Sequence, residues 1–259
     1  MILVAGGDSM VWGCELADSP HGGHGGHSQK TFPALLANDA NMYYQCSAYP
    51  GNANNAISRS IITQIEQDSQ SKTVLVVWTF TQRVEFRFSY LNNNLPTSSW
   101  YSINSWHCDD KFKFNSGLID QLQIREFAKS FFKFTGNTEY VEQYNYLKEI
   151  LFLQLYLKNK NIPYLFMTTN NETFEHDNYK RHEKDLDLSS LYQQIDWDSW
   201  FFFPSGTDAD ETITPRGFYQ WALENKYSVG PGGHPLEDAH KAAAELIKEK
   251  FNELVTKSI

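Results

Sequence analysis

The chain has 259 residues, 41% of them hydrophobic and 20% charged, which is enough to bury a sizeable core. A net charge of -9 and a pI near 5.3 exclude a general polyanion binder, which needs a basic stripe to neutralise phosphates, so no nucleic-acid partner is expected. Cys14, Cys46 and Cys108 stand far apart without a C-x-x-C pair, which excludes a zinc ribbon or disulfide framework and suits a reducing compartment.

The apolar start Met1 to Ala5 lacks a basic flank and breaks at once into Gly6-Gly7-Asp8, too short for a secretory leader. It reads as a strand buried on both faces, and the runs Met42 to Ala48, Val74 to Trp78 and Pro163 to Met167 read the same way. None approaches the roughly 20 residues needed to cross a bilayer, so a soluble, cytoplasmic chain with no membrane span is expected. Helical periodicity fills the intervals at Thr31 to Asn38, at Ala53 to Gln67 and at Thr138 to Lys158. In the second of these, Ile57, Ile61, Ile62 and Ile65 share one face. A closing helix follows His234-Pro235, with Ala239, Ala242, Leu246 and Phe251 as its core stripe.

Strands alternating with helices predict an α/β fold: one three-layer α/β/α, flavodoxin-like domain over residues 1–259 with a parallel central sheet. In such sheets ligands bind outside the carboxyl ends of the strands, so the turns after Ala5, Ala48 and Trp78 should converge. Three stretches break the alternation and read as loop insertions, around 17–30, 87–135 and 170–187. The first contains His21, His24 and His27, whose imidazoles could ligate a metal, but glycine spacing fixes no geometry. A loop is the better reading, and no metal or cofactor is expected. The second contains Trp100, Tyr101 and Trp106 among Asn and Ser, either a platform for sugar rings or an aromatic lid.

A serine hydroxyl becomes a nucleophile at neutral pH only beside a base, and fixed donors must then hold the oxyanion. Here a serine follows the first strand, a Gly/Asn turn follows the second, and a histidine precedes the last helix. Parallel-sheet geometry brings those three places together.

At these residues the sequence resembles a known family. Gly7-Asp8-Ser9-Met10-Val11-Trp12-Gly13 resembles the first block of the SGNH/GDSL hydrolases, Ala48-Tyr-Pro-Gly51-Asn-Ala-Asn54 the second, and His234-Pro235-Leu-Glu237-Asp-Ala-His240 the last. The frame spans nearly the whole chain. The resemblance implies a serine esterase that needs no cofactor, with Ser9 as nucleophile and His234 as base. It also implies an oxyanion hole that includes the N–H groups of Ser9 and Gly51, with Asp8, Asn54 and Gln82 shaping the site. Its substrate would be a small-molecule or glycan ester, with O-acyl groups on carbohydrate the first choice.

Two positions depart from the family. Its third block carries an asparagine that donates to the oxyanion, whereas this strand runs on into Thr79-Phe80-Thr81-Gln82-Arg83, so Thr79, Gln82 or Arg83 must supply any third donor. The family's acid three residues before the histidine is Pro231 here. Either a backbone carbonyl of Gly230-Pro231-Gly232-Gly233 orients the ring, or a carboxylate such as Asp208, Asp210 or Asp238 reaches it. These departures motivate a rival, an SGNH-like glycan-binding or structural module with impaired catalysis. A phosphate site at Gly6-Gly7 carries little weight, because that turn has no Lys or Arg.

Overall fold

The computed structural model describes residues 1–19, 25–67, 69–92, 95–110, 121–135, 139–170, 185–204 and 216–256. Four continuous apolar runs form a parallel sheet in the order β2-β1-β3-β6, from β1 (Ile2–Gly6), β2 (Tyr43–Cys46), β3 (Lys72–Trp78) and β6 (Tyr164–Thr168). Each lies within about two residues of its predicted run. A single parallel bridge from Phe166 to Trp200 extends the order beyond β6, as in flavodoxin-like sheets.

Successive side chains of a strand point to opposite faces, and the core divides accordingly. Leu3, Ala5, Leu75, Val77, Leu165 and Met167 face one layer, made by α2 (Phe32–Asp39), α7 (Phe218–Glu224) and α8 (Glu237–Thr256). Ile2, Val4, Val74, Val76, Trp78, Tyr164 and Phe166 face the other, where α3 (Asn54–Glu66), α5 (Glu139–Asn159) and α6 (Leu186–Gln193) pack. The arrangement is a central parallel sheet flanked by helices, an α/β/α fold. Among the described residues no helix is long and apolar enough to cross a membrane.

The stretch 87–135 is not the aperiodic insertion expected. β4 (Val84–Asn92) and β5 (Leu95–Ile103) pair as an antiparallel hairpin, followed by a 3-10 turn (Ser105–Cys108) and by α4 (Gln121–Phe134). Ile103, Ile124 and Ala128 form its small core, with Phe86, Phe88 and Phe131 packed against it. The hairpin is fixed to the start of α3: Asn55 exchanges two hydrogen bonds with the Glu85 backbone (2.9 and 3.0 Å), and the Ala53 N–H donates to Ser102 (3.1 Å). Arg59 grips the Glu85 carboxylate with two nitrogens (2.8 and 2.6 Å).

The other two predicted insertions lie partly outside the described residues, and the described part of 17–30 holds no helix or strand. Ser28 and Gln29 both donate to Asp18, and Ser19 donates to the Gly26 carbonyl, so the described ends of 17–30 are tied together. Of 170–187, residues 171–184 lie outside the described residues, and α6 already begins at Leu186.

Candidate active site

β1 runs into Gly6-Gly7, and a Cβ on Gly7 would sit 2.5 Å from Val11 Cγ2, so only glycine lets the chain turn this sharply into α1 (Ser9–Trp12). Asp8, not Ser9, caps that helix by accepting from the Met10 N–H at 3.0 Å. Ser9 becomes the first helical residue, a position whose N–H has no acceptor inside its own helix. The serine is nearly buried, at 9% exposure.

His234 lies just ahead of α8, and its ring Nδ1 is 2.7 Å from Glu15 Oε2. Glu15 follows Cys14, whose N–H donates to the Ser9 carbonyl, so this carboxylate is built onto the segment leaving Ser9. It also accepts from the backbone N–H groups of Gly232 (2.7 Å) and His234 (3.2 Å). Burial pushes the Glu15 carboxyl up, but the Gly232 N–H, the His234 ring and the His234 N–H together hold it below the usual carboxylate range. Its backbone has φ of 69°, the left-handed region, which costs a non-glycine residue about 1–2 kcal/mol. Strain of this kind persists only where the surroundings over-determine it.

The group that orients His234 is therefore none of those expected from sequence. The glycines of 230–233 are the bed for the Glu15 carboxylate rather than carbonyl acceptors for the ring N–H: a Cβ on Gly230 would lie 2.6 Å from its carboxyl carbon. Asp238 is exposed in the first turn of α8, and Asp208 and Asp210 lie outside the described residues. With the carboxylate on Nδ1, that nitrogen carries the proton and Nε2 is left as the basic atom, a tautomer inferred from the bonding. Ser9 and His234 share no direct hydrogen bond in the structure.

Two further turns reach the same edge. Gly51 has φ of 81°, and among the described residues its N–H and that of Ser9 make no backbone hydrogen bond. Asn52 holds this turn to the Gly7-Asp8-Ser9 turn by donating to the Gly7 carbonyl (3.0 Å). Asn54 clamps the end of β3, accepting from the Thr79 N–H (2.9 Å) and donating to the Thr79 and Phe80 carbonyls (3.3 and 3.2 Å). Asp8 Oδ2 is fully buried and accepts from the Thr79 hydroxyl (2.6 Å) and from Arg83 Nη1 (3.0 Å). Gln82 Oε1 accepts from Ser105 Oγ (3.2 Å) and so joins the 3-10 turn to the site.

Of the remaining candidates, His27 packs edge-on against Trp12 and Tyr44, while His21 and His24 lie outside the described residues. Among the described residues no group of three or more His, Cys, Asp or Glu could hold a metal ion. Trp100 lies beneath the Arg59 guanidinium (4.7 Å), and Tyr101 packs on His107. Burial pushes the His107 imidazole down, and the nearby Arg83 charge adds to this, opposed by a hydrogen bond from the ring to the Asn104 backbone carbonyl. Trp106, beside His107, is 57% exposed.

Fold and site together define a flavodoxin-like α/β protein whose sheet edge carries a Gly-Asp-Ser turn and a carboxylate-held imidazole. No family model matches the chain, and no curated protein matches its sequence. Among solved structures it is similar to the psychrotrophic esterase EstA from Pseudoalteromonas sp., at 13% identity and a TM-score of 0.44, over 99% of this chain and 97% of that one. It is also similar to a carbohydrate esterase whose active site displays divergent catalytic and non-catalytic binding functions, at 12% identity and a TM-score of 0.43. That match covers 97% of this chain but 64% of the other, so the chain spans less than two thirds of that protein. At this distance neither likeness assigns chemistry, because one fold serves many functions.

Proposed function

We propose that the chain is a serine ester hydrolase of SGNH/GDSL type that works through an acyl-Ser9 intermediate. The observation that carries this reading is the pairing of His234 Nδ1 with Glu15 at 2.7 Å, on the segment that leaves Ser9. It leaves Nε2 free to take a proton.

Ser9 Oγ attacks the ester carbonyl carbon while its proton passes to His234 Nε2. The carbonyl oxygen becomes an oxyanion held by the N–H groups of Ser9 and Gly51, with a third donor from the turn after β3. Collapse breaks the bond to the alcohol oxygen, which takes the proton from His234 and leaves. Water then gives a proton to the same nitrogen and attacks the acyl carbon; collapse breaks the bond to Ser9 Oγ, which takes that proton back from His234, and the acid leaves. Glu15 stays ionised throughout and stabilises the imidazolium formed in each half.

The rival reading of an impaired module loses one of its two grounds, since Glu15 supplies the acid that Pro231 lacks. Carbohydrate O-acyl groups remain the favoured substrate class. The exposed Trp106, on the turn bonded to Gln82, supports this by offering a ring face near the site. Hydrolysis of p-nitrophenyl acetate is expected of the wild type and should vanish in Ser9→Ala; undiminished turnover in that variant would overturn the mechanism.

A further inference from the structure

We infer that the third oxyanion donor is the guanidinium of Arg83, so that this oxyanion hole is cationic and is held in place by Asp8 and Thr79. The inference rests on the ester-hydrolase reading and deepens it. It starts from sheet register. Gly6 and Val76 pair across β1 and β3, and just past that row Asp8, the residue before Ser9, accepts from the Thr79 hydroxyl (2.6 Å). The turn after β3 is therefore held against the residue next to Ser9.

Most donors at that edge are already committed. The Thr79 hydroxyl donates to Asp8 and the Thr79 N–H to Asn54. The Asn54 amide is spent on the Thr79 and Phe80 carbonyls, and the Asn52 amide on Gly7. Gln82 is tied to the 3-10 turn through its oxygen, which accepts from Ser105. Arg83 has donors to spare and touches both Asp8 and the Asn52 turn. Its Nη1 contacts Asp8 Oδ2 (3.0 Å), Thr79 Oγ1 (2.9 Å) and the Asn52 carbonyl (3.4 Å), whereas Nε and Nη2 make no hydrogen bond among the described residues. Neither of those two nitrogens is a sealed, unsatisfied atom, although the side chain as a whole is only 9% exposed.

The contact with Asn52 sets the guanidinium against the turn whose Gly51 N–H is another candidate donor. Phe80 supports its face at 4.6 Å, so the fork is held from below and from one edge. Its opposite edge is left for an acceptor.

The pairing explains why a charge is tolerated here. In the resting site Asp8 and Arg83 neutralise one another, so no unpaired charge is buried. When the carbonyl oxygen becomes an oxyanion, its hydrogen bond to the guanidinium becomes an ion pair and is stronger than the one the neutral carbonyl makes. A donor of this kind lowers the barrier more than it tightens substrate binding. Thr79 and Asp8 are positioning residues in this account, and Arg83 touches the reacting atoms.

Arg83→Gln should lower kcat for p-nitrophenyl acetate about 10²- to 10³-fold, the usual cost of one lost oxyanion donor, with KM changed by less than about threefold. Because that variant leaves Asp8 buried without its cation, the deciding protein is the double variant Asp8→Asn/Arg83→Gln, with folding checked by circular dichroism. If Arg83 serves only to neutralise Asp8, the double variant recovers wild-type kcat, and the inference is overturned. If Arg83 holds the oxyanion, the double variant stays slow, and added guanidinium ion restores part of its rate. A double variant that is slow and unresponsive to guanidinium, in folded protein, also counts against a direct role. Wild-type hydrolysis that survives Ser9→Ala removes the hydrolase reading itself and this inference with it, so the two failures are distinguishable.

Discussion

Replacing Glu15 by glutamine tests the arrangement that sequence alone did not reveal. The carboxylate accepts three hydrogen bonds: Gly232 N–H on Oε1, and the His234 N–H and ring Nδ1 on Oε2. A glutamine must put its NH2 group against one set of donors, and facing Gly232 alone conflicts with one donor rather than two. The preferred amide therefore keeps its oxygen on His234, and the ring keeps its tautomer. What is lost is the negative charge opposite the imidazolium. At a charge separation of about 4 Å and an effective dielectric of about 20, that attraction is worth about 4 kcal/mol. A barrier raised by that amount slows kcat about 10³-fold, approaching 10⁴ if the amide flips and the tautomer is lost as well. The assay is steady-state hydrolysis of p-nitrophenyl acetate by Glu15→Gln at pH 8, with KM expected to change little. A kcat within about threefold of wild type would refute the assignment.

Three further outcomes follow from the same structure. Because the Glu15 carboxyl is held below its ordinary value, its contribution to stability is complete above the unfolded-state value and is lost as pH falls through the folded one. The gap in urea midpoint between wild type and Glu15→Gln should therefore narrow below about pH 4. His240 is fully buried and accepts the Phe32 N–H on Nδ1; burial, with a smaller contribution from His234 and against the pull of Glu237, pushes it down to about 3. The unfolded chain then binds the extra proton first, so wild type should lose about 2 kcal/mol between pH 6.5 and pH 5 at this site, and His240→Asn, which keeps an acceptor, should flatten the slope. Equal slopes for the two proteins would contradict this. In Gly7→Ala the new methyl meets Val11 Cγ2 at 2.5 Å and the Val77 carbonyl at 3.3 Å. Thermal or urea unfolding should show a loss of about 1–3 kcal/mol, as for other overpacked sites, and an unchanged midpoint would count against the turn as described.

The strands of the central sheet were legible because each is a continuous apolar run between glycine or polar breaks, and the tertiary layers then follow from alternation along β1, β3 and β6. The hairpin was missed although half of its signal was present. Val84-Glu85-Phe86-Arg87-Phe88-Ser89-Tyr90 alternates with period two, but its partner strand carries Pro96, Thr97, Ser98 and Ser99, which read as loop. Ser9, Gly51 and His234 were placed at strand and helix ends by short motifs, and those ends do reach one edge of the sheet.

Glu15 had no such signal. Its contact with His234 spans 219 residues of sequence and depends on a left-handed backbone that favours glycine. The one trace was Gly230 and Gly232, glycines whose missing side chains leave room for the carboxylate. The Asp8–Arg83 pair was equally hidden, since 75 residues separate the two and only the register of β1 with β3 brings them together.

The central claim is that Ser9 is an activated nucleophile. Treating the folded wild-type protein with a fluorophosphonate probe and mapping the adduct by mass spectrometry tests it most directly. The account predicts a single phosphonylated residue, Ser9, with labelling abolished in Ser9→Ala and strongly slowed in His234→Ala. Folded protein that takes up no probe, or an adduct that persists in Ser9→Ala, would contradict it.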